Sequence, residues 1–340
     1  MTIARRALLA ASATLLASPA IQAQGLERIR FVLNFRPDGG TAGYLLALSR
    51  GYYREAGLEV TIDGSSGSGD AITRIASGNY QMGSGDIATL IEFFARNPAA
   101  APKVVMSQQD SSPQAIMSLG ATRILKPEEL AGRTIGQGPA DGASRMFPAF
   151  CRINGTPMER MRLQQVTPAL RDQMLMTRQV DAVTGFDYTV FFNLKANGAR
   201  PEDIHSLRYA DYGMDFPGNA MLASRSFIAE KPDAVRRFLA ASTRCWHEVI
   251  ADPAKAASEL KRQFPLLEES IEAERITFLR DRLMITPRTQ ADGLGTLSET
   301  RLTETIAMVK DGFGLTTAPT PADIYDGRFL PSSAERRLRG

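Results

Sequence analysis

Apolar positions in this chain fall into two alternating kinds of segment. Short runs of β-forming residues predict strands at 29–34, 58–62, 80–83 and 103–108. Between them, helical spacing predicts a helix over 41–56, with Ala42, Leu45, Leu46 and Leu48 on its buried side, and further helices over 70–77 and 87–96. A second cycle opens near Pro113, with strands at 115–119, 133–136, 161–166 and 180–184 and helices at 142–154 and 168–177. A strand at 219–223 then leads into long helices at 232–250, 253–264 and 268–283. This order implies an α/β fold with mainly parallel sheets. The middle third reads as its own α/β unit inserted in a larger one, with crossings near 112–117 and 216–220.

The first residues break the pattern. Arg5 and Arg6 precede an apolar run from Ala7 to Ala17, and small residues follow up to Ala23. That is the layout of a secretory signal peptide over 1–23. The run of 11 residues is shorter than the ~20 a spanning helix needs.

Composition then narrows the function classes. Hydrophobic residues are 44% and charged residues 23% of 340, as in ordinary soluble globular chains. The formal charge is +3, and +1 once the two leader arginines are removed. Such balance argues against nucleic-acid binding, which relies on a basic patch to neutralise phosphates. Two cysteines and two histidines leave little for a zinc site, an iron–sulfur cluster or a disulfide framework. Cys151 and Cys245 each sit in a helical pattern among apolar neighbours, so a disulfide between them and two buried thiols both remain open.

In open α/β sheets, ligands bind beyond the carboxyl ends of the strands. Helix N-termini there present free N–H groups and positive dipole ends. Candidates therefore come from the strand-to-helix junctions. Phe35 offers a ring for stacking, Asp38 an acceptor or a helix cap, and Thr41 lies at the following helix start. The Gly/Ser loop 64–69 contributes Ser66 and Ser68. It lacks the Gly-Lys-Ser/Thr ending of a nucleotide phosphate loop. Asp86 precedes another helix. Gln109 and Ser111 lie at the first crossing. Asp141 and Ser144 open the 142–154 helix, Phe186 and Asp187 follow the 180–184 strand, and Tyr212 precedes the return crossing. Each aspartate alone reads as a cap. Four of them with Phe35, Phe186 and Tyr212 favour a ligand with hydrogen-bond donors and an aromatic ring. Free helix N-termini favour an anion instead, so both ligand chemistries stand.

Several stretches resemble one family in order along most of 29–330. They are Phe35-Arg36-Pro37-Asp38, Gly43-Tyr44, Arg50-Gly51-Tyr52-Tyr53, Gly57-Leu58-Glu59-Val60 and Gly78-Asn79-Tyr80-Gln81-Met82-Gly83. Ser112-Pro113-Gln114-Ala115, the run from Pro127 to Gly136 and the run from Gln179 to Phe186 continue the match. The chain thus resembles periplasmic solute-binding proteins of ABC importers, in the nitrate/sulfonate/taurine and thiamine-precursor branches. The resemblance implies a periplasmic binding protein fold of type 2, two doubly wound α/β lobes joined by a two-strand hinge. Lobe 1 would comprise 24–114 and 219–330, lobe 2 the inserted 115–218, and 331–340 a C-terminal tail. It further implies a periplasmic monomer that carries an aromatic, pyrimidine-like or sulfonate-like ligand to a membrane permease and its ATP-hydrolysing subunit. No catalytic residue, metal or cofactor is expected. The thiamine-precursor branch often has a His where this chain has Thr41 and a Trp where it has Phe35. Stacking is kept in kind and the His contact is lost.

Two rivals share this resemblance. One is a thiamine-pyrimidine synthase-like enzyme, for which this chain lacks the cysteine cluster and the reactive His. His205 in an expected loop and His247 on an expected helix both read as surface or packing residues. The other is a ligand-sensing protein whose closed lobes dock on a receptor.

Overall fold

The computed structural model describes residues 25–120 and 122–337. The leader expected over 1–23 and the last three residues of the tail lie outside them. The first sheet uses β1 (Glu27–Val32), β2 (Leu58–Asp63), β3 (Met82–Asp86) and β4 (Lys103–Ser107). The chain then crosses to a second sheet made of β5 (Gln114–Leu119), β6 (Thr134–Gln137), β7 (Arg162–Gln165), β8 (Ala182–Phe186) and β9 (Ile204–Arg208). It returns to the first sheet as β10 (Asn219–Ala223). Strand orders are β2-β1-β3-β10-β4 and β7-β6-β8-β5-β9.

Both sheets are mainly parallel, as expected, but each is mixed by one antiparallel strand. β10 runs antiparallel between β3 and β4, and β5 runs antiparallel between β8 and β9. The reason is topological. Each of these two strands arrives directly from the other sheet, not over a crossover helix, and so enters at the end where its parallel neighbours stop.

Helices cover the sheets. They are α1 (Ala42–Ser49), α2 (Tyr52–Glu55), α3 (Ser68–Ala76), α4 (Ile87–Arg96), α5 (Gly142–Ile153), α6 (Pro168–Met176) and α7 (Asp187–Ala196). After β10 come α8 (Arg225–Glu230), α9 (Pro232–Ala251), α10 (Pro253–Gln263), α11 (Glu269–Leu279), α12 (Pro287–Asp292) and α13 (Glu299–Phe313). The single helix expected over 41–56 is two, because Gly51 takes φ of +79° and ends α1 as a left-handed cap. β9, α7 and α13 lie outside the predicted elements.

Alternation along β1 turns Ile29 and Phe31 to one buried face. Phe31 stacks on Phe238 of α9 at 5.1 Å between ring centroids, and Tyr53 stacks on the same ring at 4.7 Å. α1 approaches α9 at Gly43, where a Cβ would lie 2.3 Å from the Trp246 ring. A second apolar cluster runs between the sheets, from Val32 and Ile72 to Ile116 and Phe147. Cys245 is buried in the first cluster and Cys151 in the second, and both are free thiols. The alternative of a disulfide between them is thereby closed.

Candidate ligand-binding cleft

β3 reads Met82-Gly83-Ser84-Gly85-Asp86 and is buried along its whole length. Ser84 to Asp86 were expected between the strand at 80–83 and the next helix, and glycine and serine are poor strand formers. Tertiary contacts reverse that. A Cβ on Gly83 would meet Val32 Cγ1 at 2.6 Å, and one on Gly85 would meet Leu222 Cδ1 at 2.9 Å. Only glycine lets β1 and β10 close on β3 from both sides. β8 likewise includes Gly185 and Phe186, expected beyond its end. The carboxyl ends of β1 and β3 therefore face those of β6 and β8 across one cleft.

The cleft is shut. Gly69 N–H donates to the Ala140 carbonyl at 2.9 Å. Arg145 on α5 pairs with Glu92 on α4. Arg275 on α11 donates to the carbonyls of Tyr188 at 3.3 Å and Thr189 at 3.4 Å, and to Asn193 Oδ1 at 3.1 Å, all on α7. These contacts leave an inner cavity of about 10 Å³, lined by Asn34, Phe35, Ser68, Asp141, Arg171 and Phe186 among others. That is room for about one water and nothing larger. A wider outer cavity of about 730 Å³ opens beside it, walled by Phe35, Asp38, Asp172, Asn193, Glu272 and Arg275 among others.

Of the residues expected from sequence, Phe35 borders both cavities and Asp38 the outer one. Ser68, Asp141 and Phe186 line the inner one. The Phe35 ring lies 5.0 Å from the Arg36 guanidinium carbon and 5.9 Å from that of Arg171. Asp38 Oδ1 accepts from Gly40 N at 2.8 Å, and Arg275 stands 3.5 Å from Oδ2. Burial pushes the Asp38 carboxyl up to about 6, against the pull of Arg275. Thr41 is turned onto its own capping turn, donating to Asp38 O at 3.0 Å and accepting from Asp38 N at 3.1 Å.

Asp86 caps α4 through Oδ1, which accepts from Thr89 N and Oγ1, both at 2.9 Å. Its Oδ2 is buried with no hydrogen-bond partner among the described residues. Burial raises this carboxyl to about 6 despite the Thr89 bonds. Ser68 Oγ accepts from Asp86 N at 3.2 Å. Asp141 caps α5, Oδ1 accepting from Ala143 N at 2.9 Å and Ser144 N at 3.2 Å, and its carboxyl is raised by burial. Ser144 Oγ accepts from Gly138 N at 3.0 Å and pairs with Thr184 Oγ1 at 2.6 Å. Asp187 Oδ1 accepts from Tyr188 N at 2.6 Å and Oδ2 faces Arg208 at 3.2 Å. Burial lifts it to about 6, with Arg208 opposing.

Gln109 holds the hinge, accepting from Asn219 N at 3.1 Å through Oε1. Ser111 donates to Asp215 Oδ1 at 3.3 Å, also in the hinge. Ser66 is bound to Asp70 at 2.9 Å and borders a separate surface hollow with Pro139 and Ala140. Tyr212 donates to the Leu125 carbonyl at 2.8 Å and packs edge-on to Phe150, bordering neither cavity.

Sequence reasoning passed over Arg171, Arg275 and Glu272, each 2% exposed. For Arg171 a signal existed: a cation one turn into α6 sits near the positive end of that helix, where it is disfavoured without another purpose. Arg275 and Glu272 carried none, because their cleft partners are far along the chain. Among the described residues, no three His, Cys, Asp or Glu side chains group to hold a metal ion.

A sequence profile described as NMT1/THI5 like matches residues 39–256. The chain belongs to that family. It is similar to the riboflavin-binding protein RibY of Chloroflexus aurantiacus, at 24% identity over 332 residues covering 94% of this chain and 90% of the relative. A formylaminopyrimidine-binding protein of Halalkalibacterium halodurans is 23% identical, covering 76% and 79%. A 4-amino-5-hydroxymethyl-2-methylpyrimidine phosphate synthase of Saccharomyces cerevisiae is 25% identical, covering 68% and 70%. Among solved structures, the alkanesulfonate-binding protein SsuA of Xanthomonas axonopodis pv. citri, bound to MOPS, superposes with a TM-score of 0.66 at 14% identity, covering 88% and 98%. The fold is thus that of the periplasmic solute-binding proteins.

Proposed function

We propose that this chain is the periplasmic solute-binding component of an ABC-type importer. It captures a small organic molecule between its lobes and presents the closed form to a membrane permease, whose ATP-hydrolysing subunit drives uptake. The observation that carries this reading is the cleft itself. Two lobes, connected by the crossings at 108–113 and 209–218, meet over Phe35, Asp141, Arg171 and Phe186. Contacts in the cleft bias an open–closed equilibrium, and a ligand shifts it by binding one state better. The lobes comprise 24–114 with 219–330 and the inserted 115–218. The leader pattern over 1–23 supports export, and the solute-binding relatives support the role.

The synthases within the family supply a second reading. Against it, both cysteines are buried in apolar clusters, where burial pushes each thiol up to about 12. His205 lies on β9 with Nε2 against the Gly120 carbonyl at 3.2 Å, away from both cavities.

The test is a melting and small-angle scattering screen of the protein processed at Ala23. Probes are riboflavin, formylaminopyrimidine, 4-amino-5-hydroxymethyl-2-methylpyrimidine, taurine and MOPS. A melting shift with compaction by any of them is the expected result. Turnover of a probe, or silence across the whole set, overturns the reading.

A further inference from the structure

Arg171 is a buried cation whose hydrogen bonding is incomplete. Nε donates to Asp172 Oδ1 at 2.9 Å and Nη1 to Asp141 Oδ2 at 3.3 Å. Nη2 is buried and has no hydrogen-bond partner among the described residues. A buried N–H of a charged group left unpaired is a sizeable penalty, and such groups call for an explanation. The guanidinium lines the inner cavity beside Phe35. Its place is kept clear by Gly185, where a Cβ would come within 2.8 Å of Nη1.

Two further observations define what Nη2 is suited to meet. Arg171 already faces two carboxylates, and both are committed: Asp172 Oδ2 accepts from Asn193 Nδ2 at 2.8 Å, and Asp141 Oδ1 caps α5. An anionic ligand group would set a third negative charge against one cation in a closed cleft. Three of the helix N-termini at the cleft that would otherwise draw an anion are occupied by the chain's own side chains, and at the start of α3, which has no side-chain cap, the Gly69 N–H is taken by the Ala140 carbonyl. Asp86 caps α4, Asp141 caps α5 and Asp187 Oδ1 takes the Tyr188 N–H of α7. A neutral acceptor meets the unpaired N–H without either penalty.

We propose that Arg171 is a specificity-determining residue of the cleft, its Nη2 donating to a neutral acceptor on a planar heterocycle packed against Phe35. The acceptor is a carbonyl oxygen or a ring nitrogen. The proposal rests on the solute-binding reading and deepens it: the cleft selects neutral heterocycles over sulfonates and nitrate.

The test is calorimetry on the processed protein and on Arg171→Lys and Arg171→Gln. The probes are riboflavin, 4-amino-5-hydroxymethyl-2-methylpyrimidine and the benzene analogue of the latter with both ring nitrogens replaced by C–H. Taurine and nitrate are the anionic set. Wild type should bind a neutral heterocycle and prefer the pyrimidine over its benzene analogue by roughly 10-fold or more, the discrimination one hydrogen bond to a charged donor supplies. Arg171→Lys keeps the charge and loses the fork, so affinity should drop about 10-fold or more and the pyrimidine-to-benzene ratio should fall toward 1. A purely structural role for Arg171 would lower both affinities alike and keep the ratio. If both variants fail to fold, the wild-type ratio and the anionic set decide. Binding of a heterocycle with an unchanged ratio in Arg171→Lys overturns this inference and leaves the solute-binding reading intact. Preference for taurine or nitrate overturns the neutral-acceptor assignment. Silence of wild type toward every probe overturns both.

Discussion

The amide of Gly69 donates to the carbonyl of Ala140 at 2.9 Å, so the backbones of the two lobes are hydrogen-bonded directly to each other. Beside this bond, Gly67 has φ of +145° and its absent Cβ would lie 2.3 Å from the same carbonyl oxygen. Gly67→Ala therefore carries two penalties: a backbone conformation that favours glycine, and a clash across the interface. Closure should be hindered. Scattering is expected to show a larger radius of gyration than wild type, with stability reduced by about 1–3 kcal/mol in denaturant. An unchanged radius would mean that the lobes close without this contact.

Arg275 binds α11 to α7 while lying 2.9 Å from Glu272 Oε2 and 3.5 Å from Asp38 Oδ2. Arg275→Met removes the interlobe bonds and leaves two buried carboxylates without their cation. A loss of about 3–5 kcal/mol in unfolding free energy is expected, the usual result of breaking a buried ion pair from one side. Adding Glu272→Gln should recover part of it. A loss below about 1 kcal/mol in the single variant would mean that water, not Arg275, solvates these carboxylates.

Asp86 supplies a pH dependence. Its folded carboxyl is raised to about 6 from an ordinary 3.8, chiefly by burial. The folded state then holds this proton more tightly than the unfolded chain. Its contribution is fully present below about pH 4 and is lost as pH rises through about 6. The lost stability is on the order of 2–3 kcal/mol. Asp86→Asn, which keeps an oxygen acceptor for the α4 cap, should flatten the stability-against-pH curve between about 4 and 6. An identical slope in the variant would assign the titration to other groups, Asp38 and Asp187 first.

Cys151 and Cys245 are free and buried in separate apolar clusters. Neither should react with iodoacetamide in the native protein, and both should react after unfolding in guanidinium. Non-reducing peptide mapping should recover each as a thiol. A linked peptide pair would contradict the packing described above.

Every strand but β9 and most helices were legible because their signals are local. Alternation in β1 and helical spacing in α9 need only neighbouring residues to be read. β3 and β8 were cut short at their carboxyl ends, where Gly85 and Gly185 look like loop residues. Their identity answers close neighbours from other strands and helices, Leu222 for Gly85 and Arg171 for Gly185. The direction of β5 and β10 was equally hidden, since it follows from the sheet each strand has just left.

The candidate site divides the same way. The aspartates at strand-to-helix junctions could be named from sequence, because caps obey local rules, and Asp86 and Asp141 do cap α4 and α5. Which groups stay unpaired was decided only when distant elements met. Arg171 meets Asp141 across 30 residues of chain, and Arg275 meets the Tyr188 carbonyl across 87. By itself, then, the sequence determined the α/β order, the two crossings and the capped strand-to-helix junctions, all set by short-range periodicity and capping. Tertiary structure decided that the junction carboxylates are spent on helix ends and arginines, and that Nη2 of the buried Arg171 is left without a partner in the cleft, because hydrogen-bond satisfaction depends on what folding brings near.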